Sequence, residues 1–125
     1  MMIERLPIGD DFYYRFLGGS RVINSAPGSP KISASEKALL EAVAVHDHEN
    51  NRLSVRDAMA LSHLGSPATL HKRLVRLRNM GLLCAKQKAN DRRTKYLSLT
   101  PLAFKHFKNL GEALHNALLD ETPPA

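Results

Sequence analysis

Residues 66–81 carry the side chains of this sequence that are best suited to bind another molecule, because basic and hydroxyl groups alternate there with leucines. Cations on a helix can bind DNA phosphates, and polar groups near the helix start can reach base edges in the major groove. The candidate contact residues are Ser66, Thr69, His71, Lys72, Arg73 and Arg76. These residue types at this spacing favour the binding of nucleic acid.

The same stretch contains the signals of a helix with two defined ends. Ser66 can cap the first turn, Pro67 suits the first helical position, and Gly81 can adopt the left-handed conformation that ends a helix. The leucines that recur at the spacing of one helix face are Leu70, Leu74 and Leu77. The stretch predicts a short cationic helix with one apolar side, although such a helix is often an ordinary solvated surface.

The bulk composition indicates one domain with an anionic partner. A length of 125 residues allows one core of ordinary size, and an apolar fraction of 43% is typical of a globular protein. The net charge is +6, and Lys and Arg are concentrated from His71 to Lys95, where Asp91 is the only acid. Because no apolar run has the length of a membrane span and no signal peptide is visible, we expect a cytoplasmic protein with no membrane partner.

Other residues that could carry chemistry have simpler explanations. His46 and His48 flank Asp47, but alternate positions on a helix point apart, so we expect no metal. Cys84 is the single cysteine; it could sense redox conditions beside Lys86, but its apolar setting favours a small core residue. No catalytic triad, carboxylate pair or phosphate-binding glycine motif has a supporting context, so we expect no cofactor and no enzyme activity.

Residues 1–32 are expected to form an N-terminal arm that can serve in dimerisation. A short helix is predicted to begin at Asp10 and to stop at Gly18 and Gly19, and a turn-rich segment from Ser25 to Pro30 would follow it. The predicted helix carries Phe12, Tyr13, Phe16 and Leu17 as neighbours at helical spacing. On so short a segment they would pack either on the main body or on a second subunit.

Residues 33–120 are expected to form one domain in the order helix, short helix, turn, basic helix, hairpin, helix. Capping boxes start the first two helices at Ser33 and Ser54. The first helix is expected to end at Asn50–Asn51 and the second before Leu64–Gly65, with a very short strand at Arg52–Leu53 between them.

The hairpin follows the basic helix. Two strands, Leu82–Lys88 and Tyr96–Leu99, are predicted around a loop of residues 89–93 with an arginine-rich tip. A cap and a proline at Thr100–Pro101 then open the last helix. The predicted class is mainly α with a small β-hairpin (α+β).

Several short motifs along these predicted helices and strands indicate a particular protein family. They are Leu53-Ser54-Val55, Ser66, Thr69, Arg76-Leu77, Gly81-Leu82 and Asp91-x-Arg93-x-x-x-Leu97-x-Leu99-Thr100. The stretch from Leu53 to Leu110 thereby resembles the DNA-binding domain of MarR-type bacterial transcription regulators. The resemblance implies a winged helix-turn-helix fold in which the hairpin is the wing.

The resemblance also implies roles for the wing residues. In that family the acid of an Asp-x-Arg pair orients the arginine toward the minor groove, and Asp91 and Arg93 would have those roles. A carboxylate near an arginine restricts its rotamers before binding, but the pair could also be a plain surface salt bridge. The candidate contact residues of the wing are Lys88, Asp91, Arg92 and Arg93.

The chain departs from the family pattern in its turn and at its ends. Leu64-Gly65 reverses the commoner order, and Pro67-Ala68 replaces a polar pair. Most direct base readout would then fall to Thr69, His71 and Lys72. Family members dimerise through long helices at both chain ends, whereas this chain has a short arm and one terminal helix. We expect a homodimer held by Phe12, Tyr13, Phe16, Phe107, Leu110 and Leu114.

The resemblance implies a sequence-specific double-stranded DNA-binding transcription regulator, a repressor that acts as a homodimer. The alternative is a winged-helix protein-interaction module or an RNA-linked or replication-linked factor, because one fold serves several purposes. A small-molecule effector is a third hypothesis, which the sequence does not support.

Overall fold

The computed structural model describes residues 10–119, which form five α-helices and one antiparallel hairpin. The elements in chain order are α1 (Asp10–Ser25), α2 (Ala34–His48), α3 (Val55–Met59), α4 (Pro67–Asn79), β1 (Leu83–Lys88), β2 (Asp91–Leu99) and α5 (Pro101–Leu119). A 3-10 turn, Ser62–Leu64, lies between α3 and α4. The predicted class, mainly α with a small β-hairpin, is confirmed.

The described chain comprises two compact units. The central unit is Ile32–Phe104 and contains α2 to β2 with the start of α5. The terminal unit comprises residues 10–31 and 105–119, which are α1, the segment after it and the remainder of α5. All candidate contact residues of the basic helix and the hairpin therefore lie in the central unit.

Leucines from α2, from α4 and from the hairpin region fill the core of the central unit. The fully buried side chains are Leu39, Leu40, Val43, Leu70, Leu77, Leu82 and Leu97. Each contributes about 1.5–3 kcal/mol by leaving water. Leu70, Leu74 and Leu77 are the buried residues of α4, so the apolar face predicted for the basic helix is confirmed. This face fixes which side of α4 meets solvent.

The helix starts of the central unit form where the sequence predicts them. The Ser33 hydroxyl accepts the N–H of Glu36, whose carboxylate accepts the Ser33 N–H in return. Ser54 and Asp57 make the same reciprocal pair at α3. Ser66 caps α4 by accepting the third N–H. These caps satisfy backbone donors that a helix start leaves without partners.

The end of α4 is also the predicted one. Gly81 has a φ of 76°, a left-handed value that glycine adopts without a steric cost. Its N–H donates to the Arg78 carbonyl, and the Leu82 N–H donates to the Leu77 carbonyl. This pair of bonds is the Schellman motif, and it turns the chain from α4 into β1.

The second strand of the hairpin is longer than predicted. β2 begins at Asp91, which pairs with Lys88, so the connection consists of Ala89 and Asn90. The prediction of a loop over residues 89–93 is therefore wrong, and the arginines that were expected in the loop belong to a strand.

A β-bulge explains this error. The register shifts just before the connection, which leaves residues 92–94 as extra residues of β2. Oδ1 of Asp91 accepts the N–H of Arg93 at 3.1 Å and that of Thr94 at 3.3 Å, so a side chain supplies the partners of these donors. A run of charged residues lacks the apolar alternation of a strand, and the sequence pattern therefore concealed the start of β2.

The strand predicted at Arg52–Leu53 is reduced to an isolated bridge. The Leu97 N–H donates to the Leu53 carbonyl at 2.8 Å, and Ser54 bridges to Tyr96. Because Ser54 is already the cap of α3, the chain enters a helix before a longer strand can form.

In the terminal unit, α1 continues through Gly18 and Gly19 to Ser25, so the prediction of a short helix ending at the glycines is wrong. A Cβ atom added to Gly19 would lie 3.3 Å from the Cβ of Ala113 on α5. The residue therefore permits close packing of two helices rather than a helix end. The cap predicted at Asp10 concerns a side chain outside the described part and stays a prediction. Between residues 10 and 119, no helix has the length and apolar character needed to cross a membrane.

Candidate nucleic-acid interface

The outer face of α4 is the side opposite its buried leucines. Ala68, Lys72, Val75 and Asn79 follow one another at the spacing of one helix face, and all four are exposed. His71 is exposed beside them. This face, named here the outer face of α4, therefore combines one cation, one imidazole and one amide with two apolar side chains.

The hydroxyl groups at the start of α4 interact with each other. The Ser66 hydroxyl accepts the Thr69 N–H at 3.3 Å and donates to Oγ1 of Thr69 at 2.9 Å. Ser66 thus uses its oxygen and its proton within the cap. Thr69 accepts in the second of these bonds, so its own hydroxyl proton is not used between the two residues. Both residues lie where the sequence places them, at the head of the helix, but Ser66 acts first as a structural cap.

Arg73 connects α4 to the turn that precedes it. Its Nη1 atom donates to the Leu64 carbonyl at 2.7 Å, and it lies 3.3 Å from the position that a Cβ of Gly65 would occupy. Gly65 has a φ of 148°, which favours glycine and brings the turn close to the arginine. The reversed Leu64-Gly65 order is therefore accommodated by a side chain of the basic helix itself.

Arg76 connects α4 to the start of α2. Its Nε atom lies 2.5 Å from Oε2 of Glu36, the carboxylate of the α2 capping box. The hydrogen bond from the Ser33 backbone keeps the pKa of Glu36 below its ordinary value despite burial, and the charge of Arg76 adds to this effect. The Arg76 side chain is 57% exposed, so part of it remains accessible to a phosphate.

The basic residues of the hairpin are exposed. Lys88 at the end of β1 and Arg92 and Arg93 at the start of β2 all face solvent. The ammonium of Lys88 lies 4.2 Å from the centre of the Tyr96 ring, a cation–π distance that holds it against the hairpin surface. The Arg92 carbonyl accepts a hydrogen bond from Gln87 across the two strands. These cations therefore extend from two paired strands, and a β-bulge interrupts the pairing at Arg92 and Arg93.

Asp91 acts on the main chain of Arg93. The hydrogen bond from the Thr94 hydroxyl, together with those from the Arg93 and Thr94 N–H groups, holds the pKa of Asp91 below its ordinary value. The carboxylate therefore fixes the backbone of the bulge from which the Arg93 side chain extends, and its effect on the orientation of that side chain stays a prediction.

Asp47 has a structural role that the sequence pattern did not predict. Its Oδ1 accepts Nε of Arg52 at 2.8 Å, and its Oδ2 accepts the N–H of Leu99 at 3.0 Å. Burial raises the pKa of Asp47, but these hydrogen bonds outweigh burial and keep that pKa below its ordinary value. Asp47 thereby connects the end of α2 to the base of the hairpin. The signal was absent from the local pattern because Leu99 is remote in sequence.

His46 and Cys84, two other residues considered for chemistry, have structural partners. Nδ1 of His46 lies 2.9 Å from the Ala42 carbonyl, one turn back on α2. The Cys84 sulfur lies 3.1 Å from Oγ of Ser98, its partner across the two strands, and Cys84 is half-buried. Across the described residues, no group of three or more His, Cys, Asp or Glu side chains is placed to hold a metal ion.

Comparison with known proteins agrees with this geometry. Residues 32–103 match the family described as the winged helix DNA-binding domain. These residues comprise nearly the whole central unit, including both α4 and the hairpin. No curated protein matches the chain significantly.

Several solved structures are similar in fold. S. aureus MepR bound to ethidium bromide has a TM-score of 0.63 and 16% identity, over 89% of this chain and 77% of that one. A transcriptional regulator of Thermotoga maritima, Tm0710, has a TM-score of 0.62 and 16% identity, over 86% and 70%. A complex of S. aureus MepR with DNA has a TM-score of 0.54 and 19% identity, over 72% and 68%. At these identities the similarity is one of fold.

Proposed function

Because the chain belongs to the winged-helix DNA-binding domain family, we propose that it is a sequence-specific transcription regulator of the MarR type that binds double-stranded DNA. The observation that carries this proposal is the outer face of α4, where Lys72 and His71 are exposed opposite a leucine core. A helix with one apolar side held by the fold and one polar side exposed can enter the major groove. No catalytic step is part of the proposal.

The hairpin would contribute the second contact. Arg92 and Arg93 are exposed on β2, which a connection of two residues joins to β1. An arginine that enters a narrow minor groove meets its strongly negative potential. In this proposal Arg93 enters the minor groove, Asp91 fixes the backbone beneath it, and Lys88 and Arg92 bind phosphates.

We propose that the active form is a homodimer and that it acts as a repressor by occupying its operator. The support for the dimer is the apolar surface of the terminal unit. Tyr13 is 56% exposed and Leu114 is 44% exposed. Phe12, Phe16, Phe107 and Leu110 are half-buried. A second copy would cover such a surface, and two-fold symmetry would present two copies of α4 to two half-sites.

Selection of bound duplexes from a random pool tests the proposed function. The purified full chain is expected to enrich one family of sequences with two related half-sites. The enriched duplex should then outcompete its scrambled version. Enrichment of no duplex sequence, together with equal binding of RNA and DNA, would contradict the proposal and favour the RNA-linked alternative.

A further inference from the structure

We propose that the outer face of α4 recognises thymine by its C5 methyl group, with Val75 as the main specificity-determining residue and Ala68 as a second contact. This inference rests on the proposed binding of double-stranded DNA. It concerns which base is read and by which chemical group.

The first observation is the apolar character of the outer face. Val75 is 40% exposed, and Ala68 is exposed two turns before it on the same side of α4. Lys72 lies between them on this side. On a helix that enters the major groove, this arrangement places an aliphatic side chain beside a cation that can bind the backbone or a base edge.

The second observation is the structural use of the polar side chains around that face. Ser66 donates to and accepts from Thr69 within the cap. The guanidinium of Arg73 donates to the Leu64 carbonyl, and that of Arg76 pairs with Glu36. Much of the hydrogen-bonding capacity of α4 therefore maintains the fold. Because fewer polar groups of α4 are then available to contact base edges, apolar side chains should make a larger part of those contacts.

The chemistry of the major groove supplies an apolar partner. Thymine presents a methyl group at C5 there, and apolar side chains discriminate by contact with it. Valine is suited to this contact because its β-branched side chain is held to one χ1 rotamer in a helix, so little entropy is lost on binding. Uracil lacks the methyl group and keeps the remaining base edge.

Substitution of deoxyuridine for thymidine tests the proposal. The selected duplex is prepared with each thymidine in turn replaced by deoxyuridine, and binding of the full chain is measured by fluorescence anisotropy. Burial of one methyl group corresponds to a roughly fourfold change in affinity. At one thymine in each half-site, the wild type is expected to bind the uracil duplex roughly fourfold more weakly. In Val75→Ala the two duplexes should bind within about a factor of 1.5 of each other.

Val45→Ala is the matched control, since Val45 is 55% exposed on α2 and lies on another helix of the central unit. It should keep the fourfold thymine preference of the wild type. A wild type that binds every uracil duplex as tightly as the parent duplex would overturn the inference, as would a Val75→Ala variant that keeps the wild-type preference at every thymine. Both results would leave sequence-specific binding intact. Failure of the wild type to prefer the selected duplex over its scrambled version would instead refute the proposed function and this inference with it.

Discussion

The polar residues of α4 fall into two groups, those with partners inside the fold and those that face solvent. Arg73 and Arg76 contact the Leu64 carbonyl and Glu36 within the central unit, whereas His71 and Lys72 face solvent. The sequence shows the polar character of all four residues but not their partners. Those partners, on the preceding turn and on α2, become neighbours only when the tertiary structure has formed.

Lys72 and Arg73 are therefore expected to differ in effect when replaced by alanine. Lys72→Ala should reduce the preference for the selected duplex by about 1–3 kcal/mol and leave the melting temperature unchanged. Arg73→Ala should weaken all duplexes alike and lower stability by about 1–3 kcal/mol, because the Leu64 carbonyl loses a charged donor. Titration against the selected and scrambled duplexes, with thermal melting of each variant, measures both effects. Equal weakening of both duplexes by Lys72→Ala would contradict its role in base readout.

Glu36 gives the fold an acid-sensitive component. Its pKa in the folded chain is lowered by the Ser33 backbone and by Arg76, so the stability it contributes is fully present above its ordinary pKa. That contribution is lost as the pH falls through the lowered pKa. Glu36→Gln is expected to be less stable than the wild type at neutral pH, with a difference that shrinks on acidification. Urea unfolding from neutral to strongly acidic pH measures this difference, and a pH-independent gap would show that the charge of Glu36 plays no part.

Whole elements were more predictable than their connections. Ser33, Ser54 and Ser66 mark the helix starts because capping depends on residues within one turn of each other. Where packing or a bulge decided the outcome, the sequence misled: Gly19 lies against another helix, and β2 begins at Asp91. The same contrast holds for the candidate site. The sequence predicted which basic residues it contains, but not the partners of those residues, which are distant in the chain.

Three variants test whether the hairpin contributes to DNA binding. Arg93→Ala should weaken binding most on operators with A·T-rich flanks, where the minor groove is narrow, and should leave the fold intact because Arg93 is exposed. Asp91→Ala should cause a smaller loss, since the bulge loses the acceptor of two N–H groups. Asp91→Asn retains an acceptor oxygen and should bind nearly as the wild type does.

Binding to duplexes with A·T-rich or G·C-rich flanks, with melting as the folding control, separates these hairpin variants. If Arg93→Ala binds both duplexes as the wild type does, the hairpin does not read DNA. The protein-interaction alternative would then become the better explanation of the fold.

The molecule as a whole carries a net charge of +6 and a terminal unit with exposed apolar side chains. The family match over residues 32–103 confirms the winged-helix DNA-binding domain that the resemblance to MarR-type regulators implied, and the similar structures share its fold. The net positive charge favours an anionic partner. Because many of the Lys and Arg residues lie on α4 and the hairpin, we expect that partner to contact both elements.

The oligomeric state is a prediction for the whole molecule. Light scattering of the full chain at micromolar concentration should give the mass of a dimer. Leu114→Glu should shift the mass toward that of a monomer, because a carboxylate would be buried in the proposed interface. Val45→Glu, at an exposed valine of the central unit, should remain dimeric. A monomeric wild type, or a Leu114→Glu variant with an unchanged dimer mass, would contradict an interface at this surface.

Competition between the selected duplex and a scrambled duplex tests most directly whether the protein is a sequence-specific DNA-binding regulator. The affinity of the full chain for each duplex is measured at two salt concentrations, one of them physiological. We expect the selected duplex to bind about 10³-fold more tightly or better at physiological salt, and both affinities to fall as salt is raised. Equal affinities for the two duplexes, with the same salt dependence, would show that the chain binds DNA by charge alone and would contradict the central claim.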